Sequence, residues 1–258
     1  MNKQLLLFAL SLIAGPSVFA ADLKMRIVWD GDIPKIRKVE NSFSSDCRDV
    51  DLNADQQLVD ADTRGVRDTV VYVAPLRKDR ARWRQPPRKE TVRIEVCDCR
   101  IHPHISIAQA GDLLTVGERD ESAAHNLKFS FFANSPCGTT ISTNAAWTRE
   151  LTSPEPAPIP VDCNVHSWER GYLFVLEHTY IAVSDRQGNV FIHGLPDDTD
   201  VPLRLFHEHG GIQSIVLQGE RRQIERGRIN VRVSNGTIDL GDVVIDTQSF
   251  TRPETEKQ

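Results

Sequence analysis

Apart from one stretch near its start, the sequence lacks any apolar run approaching the ~20 residues a membrane-spanning helix needs. It also lacks sustained helical periodicity, so long helices are not expected. No Gly-rich phosphate loop, no Gly-x-Ser-x-Gly elbow and no His-Glu-x-x-His pair occurs. Paired carboxylates do occur (Asp197-Asp198, and Glu118 with Asp120 and Glu121), but in turn-like polar segments where solvation is the default. The expectation is a protein that is not an enzyme. Basic excess is missing too: 31 Lys and Arg stand against 36 Asp and Glu, a formal net charge of −5. A mildly acidic chain is a poor partner for nucleic acid.

The one apolar run, Leu5 to Ala14, follows Lys3 and precedes Val18-Phe19-Ala20. A basic start, a short apolar core and small residues before Ala21 read as a secretory signal peptide over residues 1–20. The run is too short to span a bilayer, and no cysteine follows the expected cleavage point, which argues against a lipid anchor. The expected location is periplasmic or secreted, with no membrane span.

Beyond Ala21 the chain reads as β. Lys24 to Trp29 alternates, Val66 to Val73 is rich in β-branched residues, and Thr91 to Val96 alternates. Gly31 to Arg64, rich in Asp, Asn and Ser, has no period and reads mostly as loop. Arg77 to Lys89 holds seven basic residues around Trp83 and Pro86-Pro87. It reads as a solvated connection or, functionally, as a docking patch for an acidic partner. Ser153 to Pro160, with prolines at 154, 156, 158 and 160, is expected to be extended and not a central strand.

The chain is organised around Pro160-Val161-Asp162-Cys163-Asn164-Val165-His166-Ser167-Trp168-Glu169-Arg170-Gly171-Tyr172. Alternating Ile159, Val161 and Cys163 lead in, and Tyr172 to Leu176 leads out, so the middle is a tight loop between strands. A thiolate and an imidazole on such a loop, a second imidazole from elsewhere and a weak fourth ligand make the trigonal site of electron-transfer copper. His125, in Ala124-His125-Asn126, can supply the second imidazole. Five cysteines occur (Cys47, Cys97, Cys99, Cys137, Cys163). In an oxidising compartment an odd count leaves one thiol over, and copper ligation by Cys163 would account for it. The other four allow three pairings, or Cys97 and Cys99 could simply be buried on one strand. Eight histidines lie between residues 102 and 209. The His102-Pro103-His104 and His207-Glu208-His209 pairs have the spacing of metal ligands but arise often by chance, and His178 and His193 look structural.

His-Asn on one strand, then Cys-x-x-His-x-x-ligand near the end of a sandwich, resembles the cupredoxins, the plastocyanin, azurin and amicyanin family, over roughly residues 91–176. The short loop is most similar to that of amicyanin. The resemblance implies copper held by His125, Cys163 and His166, with Asn126 tying the two ligand loops together. Where the family usually has Met, this chain has Glu169, which would be the axial ligand or else point to solvent. A wider likeness takes in Cys99 to His104, His125-Asn126, Cys163 to Tyr172 and Asp185 to Pro196. It is to secreted bacterial plastocyanin-like proteins, some labelled methylamine utilization proteins, and it implies a Cys47–Cys99 disulfide, leaving Cys97 with Cys137.

After Leu176 a simpler pattern follows. Tyr180 to Val183, Val190 to His193 and Pro202 to Phe206 read as strands. Asp185-Arg186-Gln187-Gly188 is a turn, and Gly194-Leu195-Pro196 punctuates. This resembles the transthyretin-like or carboxypeptidase-regulatory-like sandwich, which needs about seven strands. An expected hairpin from Ile229 to Leu240, turning at Asn235-Gly236, adds two. The expected architecture is all-β: a cupredoxin Greek-key sandwich at 91–176, inserted into a second, Ig- or transthyretin-like sandwich built from 22–90 and 177–246, with a disordered tail at 247–258. The functional expectation is an exported copper protein transferring electrons to or from an unknown redox partner protein. The alternatives are copper storage or delivery without cycling, and a metal-free cell-surface structural module.

Overall fold

The computed structural model describes residues 20–35, 39, 47, 58–118, 125–141, 146–234 and 236–250; the expected signal peptide lies outside them, save Ala20. The strands, in chain order, are β1 (Ala20–Trp29), β2 (Val70–Val73), β3 (Thr91–Cys97), β4 (Arg100–His102), β5 (Ile105–Gln109), β6 (Leu113–Glu118), β7 (His125–Phe129), β8 (Cys137–Ile141), β9 (Ala146–Glu150), β10 (Ile159–Cys163), β11 (Arg170–Leu176), β12 (Ile181–Val183), β13 (Asn189–Pro196), β14 (Thr199–Phe206), β15 (Ser214–Leu217), β16 (Glu220–Gln223), β17 (Arg228–Val233) and β18 (Thr237–Ile245). The protein is all-β, and its strands form two sandwiches. One packs sheet β13-β1-β18-β15-β16 on sheet β12-β2-β14-β17, and the other packs β5-β11-β10-β7-β8 on β4-β3-β6-β9.

Period-2 alternation explains why each strand sits where it does. On β1, Leu23, Met25, Ile27 and Trp29 are buried while the residues between them are partly exposed. They meet Val201, Leu203, Leu205 and Val243 in the core of the first sandwich. The second core gathers Ile94, Val116, Leu127, Phe129, Val161 and Leu173. Two strands break the alternation. β2 is buried at all four positions, because Val71 and Val73 face the first core while Val70 and Tyr72 face outward onto the other sandwich. On β11, Leu173 and Val175 enter the second core and Phe174 points the opposite way. Val70, Tyr72, Ile105, Phe174 and Ile181 thus form a third apolar cluster, a seam joining the sandwiches. Rings pack edge-on across it, Tyr72 to Phe174 at 5.4 Å and Phe174 to Phe206 at 5.5 Å. Strands buried on both faces read as continuous apolar runs, which is how β2 and β11 look in sequence.

β2 pairs antiparallel with both β12 and β14, at Val71 with Ala182 and with Leu205. β1 pairs antiparallel with β13 and parallel with β18. The first sandwich is therefore woven from residues on both sides of the second.

Several expectations are corrected. The 229–240 hairpin does not form: β17 pairs with β14, whereas β18 pairs with β1 and β15 in the opposite sheet. The turn near Gly236 carries the chain from one sheet to the other, where β18 lies beside β1 and Val243 and Ile245 are buried in the core of the first sandwich. Pro160 does belong to a central strand, since β10 lies between β11 and β7; it sits near the start of the strand, ahead of the Val161–Phe129 pair that begins the β7 pairing. Val66 to Asp68 is not strand, since Asp68 takes φ 59° and turns the chain into β2. β8, β9, β15 and β16 carried no clear signal. Residues 247–249 form a short 3-10 turn capped by Asp246, and Phe250 bridges to Ile212; residues 251–258 lie outside the described ones.

Candidate metal centre

The site sits at one end of the second sandwich, where β7, β10 and the β10–β11 loop meet. Leu127 pairs with Cys163, the last residue of β10. His125 lies two residues before Leu127, hence on the same face, and both are buried. Pairing alone therefore carries His125 over the loop that follows Cys163. That loop, Asn164 to Glu169, is a closed turn. Cys163 N donates to the Glu169 carbonyl (3.1 Å), Glu169 N to the His166 carbonyl (3.0 Å) and Asn164 N to the Asn126 carbonyl (2.9 Å). At its exit Gly171 packs against the next loop; a Cβ there would lie 3.0 Å from the His104 carbonyl oxygen.

The closed turn brings His125, Cys163, His166 and Glu169 together, all buried, with one donor atom of each within 4.8 Å of the others. His125 Nδ1 lies 2.9 Å from Glu169 Oε2 and 3.3 Å from His166 Nδ1. Glu169 Oε1 lies 3.0 Å from His166 Nδ1 but is not aligned for a hydrogen bond. His166 N donates to Cys163 Sγ at 3.4 Å. Burial alone would push His125 down, but the hydrogen bonds and negative charge of Cys163 and Glu169 outweigh it and raise its pKa to about 10. Cys163 and Glu169 thus face the two imidazoles in a buried pocket, where a charge is stable only when it is paired.

The donor set fits a metal ion. Two imidazole nitrogens each about 2.0 Å from a common tetrahedral ion are about 3.3 Å apart, the separation found between the Nδ1 atoms of His125 and His166. One thiolate, two imidazoles and one carboxylate suit a borderline ion such as copper or zinc better than a hard one such as calcium.

Asn126 lies beside the donors, not among them. Its side chain accepts from Asn164 Nδ2 (2.5 Å) and donates to Thr140 Oγ1 (2.8 Å), linking β7 to the loop and to β8. Glu169 points inward, its side chain fully buried, and not to solvent.

The expected Cys47–Cys99 disulfide is formed; its nearness to the site was not apparent in the sequence, since its sulfurs lie within 4.8 Å of a Glu169 carboxylate oxygen. Trp168 packs on that disulfide, donates from Nε1 to the Cys99 carbonyl (3.2 Å) and sets its ring 5.0 Å from that of His166. The expected Cys97–Cys137 bond is not formed; the two residues sit on strands of different sheets, β3 and β8.

The remaining histidines do not join a metal cluster among the described residues. His104 Nε2 meets Glu208 Oε2 at 3.1 Å; burial lowers its pKa, but Glu208 raises it further, for a net rise. His178 and His207 are buried, which pushes each down to about 4. His102 and His193 are exposed, with His193 Nδ1 3.1 Å from Asp22.

No protein-family model matches the chain, and no curated protein matches it. Solved structures similar to it include a Cu-containing nitrite reductase from Thermus scotoductus SA-01 (14% identity, 33% of this chain and 22% of that one, TM-score 0.30). Others are a reduced single-site mutant of amicyanin (16% identity, 33% of this chain and 81% of that one, TM-score 0.29) and an oxidised amicyanin mutant with the same identity and coverage (TM-score 0.30). The match spans about a fifth of the nitrite reductase chain. Scores of this size leave the functional reading to the donor geometry.

Proposed function

We propose that this chain is an exported, cupredoxin-like copper protein that carries electrons for a partner protein and is not itself an enzyme. The observation that carries the reading is the convergence of His125 Nδ1, Cys163 Sγ, His166 Nδ1 and the Glu169 carboxylate in one buried pocket. Bound copper would supply one-electron exchange between Cu(II) and Cu(I). The chain's own residues set the conditions. His125, on a strand, and Cys163, at a strand end, hold their donors rigidly. The closed turn fixes His166 and Glu169, and the Asn126–Asn164 contact ties the two donor segments together. A donor set that cannot move changes little between oxidation states, and small reorganisation favours fast transfer.

One specific observation favours a second reading. Glu169 is a buried anion close to both imidazoles, and with the Cys163 thiolate it brings the donor charge to −2. That balances a divalent ion and leaves a monovalent one under-neutralised. The site would then hold Cu(II), or zinc, without cycling. Export to the periplasm or beyond rests on the leader-like residues 1–20; among the described residues no helix is long and apolar enough to cross a membrane.

The test is to add Cu(II) to the purified protein and record visible absorption and electron paramagnetic resonance spectra beside a Cys163→Ser control. An intense thiolate-to-copper band that the control loses is the expected result. Reversible bleaching and recovery with a mild reductant and oxidant favours the carrier, and a band that does not cycle favours storage. No band and no tight copper would refute both and leave a structural module.

A further inference from the structure

Between β2 and β3 the chain makes one short turn, Arg77 to Trp83, and then an extended run through Pro86-Pro87. This segment is nailed down. Trp83 is buried, edge-on to Tyr180 at 6.0 Å. Gln85 N donates to the Glu177 carbonyl (2.9 Å), and Gln85 Oε1 accepts from Thr179 N (2.7 Å) and Oγ1 (2.9 Å). Gln109 Nε2 donates to the carbonyls of Gln85 (3.2 Å) and Pro86 (3.0 Å). It is therefore a fixed ledge and not the slack solvated connection its composition allows.

Its charges are unanswered. Arg77, Lys78, Arg80, Arg84 and Lys89 are exposed and make no ion pair or side-chain hydrogen bond among the described residues. Holding like charges together on a fixed ledge costs free energy through self-repulsion, and a counter-anion removes that cost. The rest of the molecule is the more acidic for it, since the whole chain carries −5. At the head of the ledge Leu76 is 55% exposed, one of five exposed large apolar side chains among the described residues. Beside it opens a cleft of about 630 Å³, lined by Leu76, Lys78 and Arg82 and, across from them, Arg228; Asp79 and Asp200 also line it.

We propose that this ledge docks the protein on an anionic lipid surface. The exposed cations lie against phosphate headgroups, Leu76 enters the interfacial layer, and the cleft takes a headgroup beside it. An apolar side chain set among cations is what such a surface rewards, each term being weak alone. The inference is independent of the metal site.

The test is sedimentation of the purified protein with vesicles of phosphatidylcholine alone, or of equal parts phosphatidylglycerol and phosphatidylcholine. Binding to the anionic vesicles only, weakening as salt is raised, is expected. Each cation near such a surface contributes about fivefold to partitioning, so Arg77→Gln/Lys78→Gln/Arg80→Gln should lose about a hundredfold. Leu76→Ser should lose about tenfold with the salt dependence unchanged. All four positions are exposed, and melting curves matching the parent would show that the fold is intact. Variants share one N-terminus, so any contribution from residues 1–20 cancels. Absence of binding to anionic vesicles, or binding that the triple variant retains, would overturn the proposal. Retention on a polyglutamate column without vesicle binding would assign the ledge to an acidic protein and overturn it equally.

Discussion

Glu169→Gln is the sharpest perturbation of the proposed copper site, since it keeps shape and removes one charge. In the native protein the carboxylate sits 2.9 Å and 3.0 Å from the two imidazole nitrogens, and all four donors lie within 4.8 Å of one another. An ion held by these donors is thus about 4 Å or less from the carboxylate charge. At that distance, with an effective dielectric constant near 20, a unit charge is worth about 4 kcal/mol. Cu(II) carries one more positive charge than Cu(I), so the carboxylate stabilises the oxidised form by that amount and lowers the reduction potential. Removing it should raise the potential by about 180 mV, three decades at 59 mV each. The assay is a redox titration of the copper absorption band in both proteins, with copper content measured in each. An unchanged or lower potential in a variant that still holds one copper would refute the placement of Glu169 at the metal.

Three further outcomes follow from the same contacts. The Cys47–Cys99 bond spans 52 residues, so the double serine variant should lose about 4 kcal/mol by the chain-entropy account of cross-links, read from denaturant unfolding without metal. His178 and His207, whose pKa values burial lowers to about 4, add no proton in the folded state until the pH is well below 6.5. The unfolded chain protonates them from 6.5 downward, so stability is complete above that value and falls by up to about 3 kcal/mol per histidine as the pH drops to 4. His207→Leu should flatten part of that slope. Burial would raise the pKa of Asp112, but hydrogen bonds from the Gln109 and Glu90 amides (2.8 and 2.9 Å) and from Arg88 (2.9 Å) outweigh it and hold the carboxyl below 3.8. Its stabilisation is complete above 3.8 and lost as the pH falls through the lower folded value. Asp112→Asn should therefore cost about 2 kcal/mol at neutral pH and much less in acid, measured by thermal melting across pH.

What the sequence by itself determined is local. The alternation of β1, β3 and β10 follows from which residues are apolar, and one face of each strand is buried in the structure. The cysteine and histidine three residues apart, with Glu169 three further on, are legible because one short loop holds them. A second imidazole could be nominated from His125-Asn126, but only the Leu127–Cys163 register puts it over that loop. Tertiary structure alone decided the rest. Glu169 turns inward because two imidazoles offer it partners that solvent would otherwise supply. The disulfide reaches the site because residue 47, remote in sequence, ends beside Trp168. Strands β17 and β18 look like a hairpin along the chain, yet they part to opposite sheets, β17 beside β14 and β18 beside β1, where Val243 and Ile245 are buried in the shared core. Alternation tells which face of a strand is apolar; it does not tell which sheet will cover that face, and where both faces are apolar, as on β2 and β11, only the packing of two sandwiches against each other assigns each side its core.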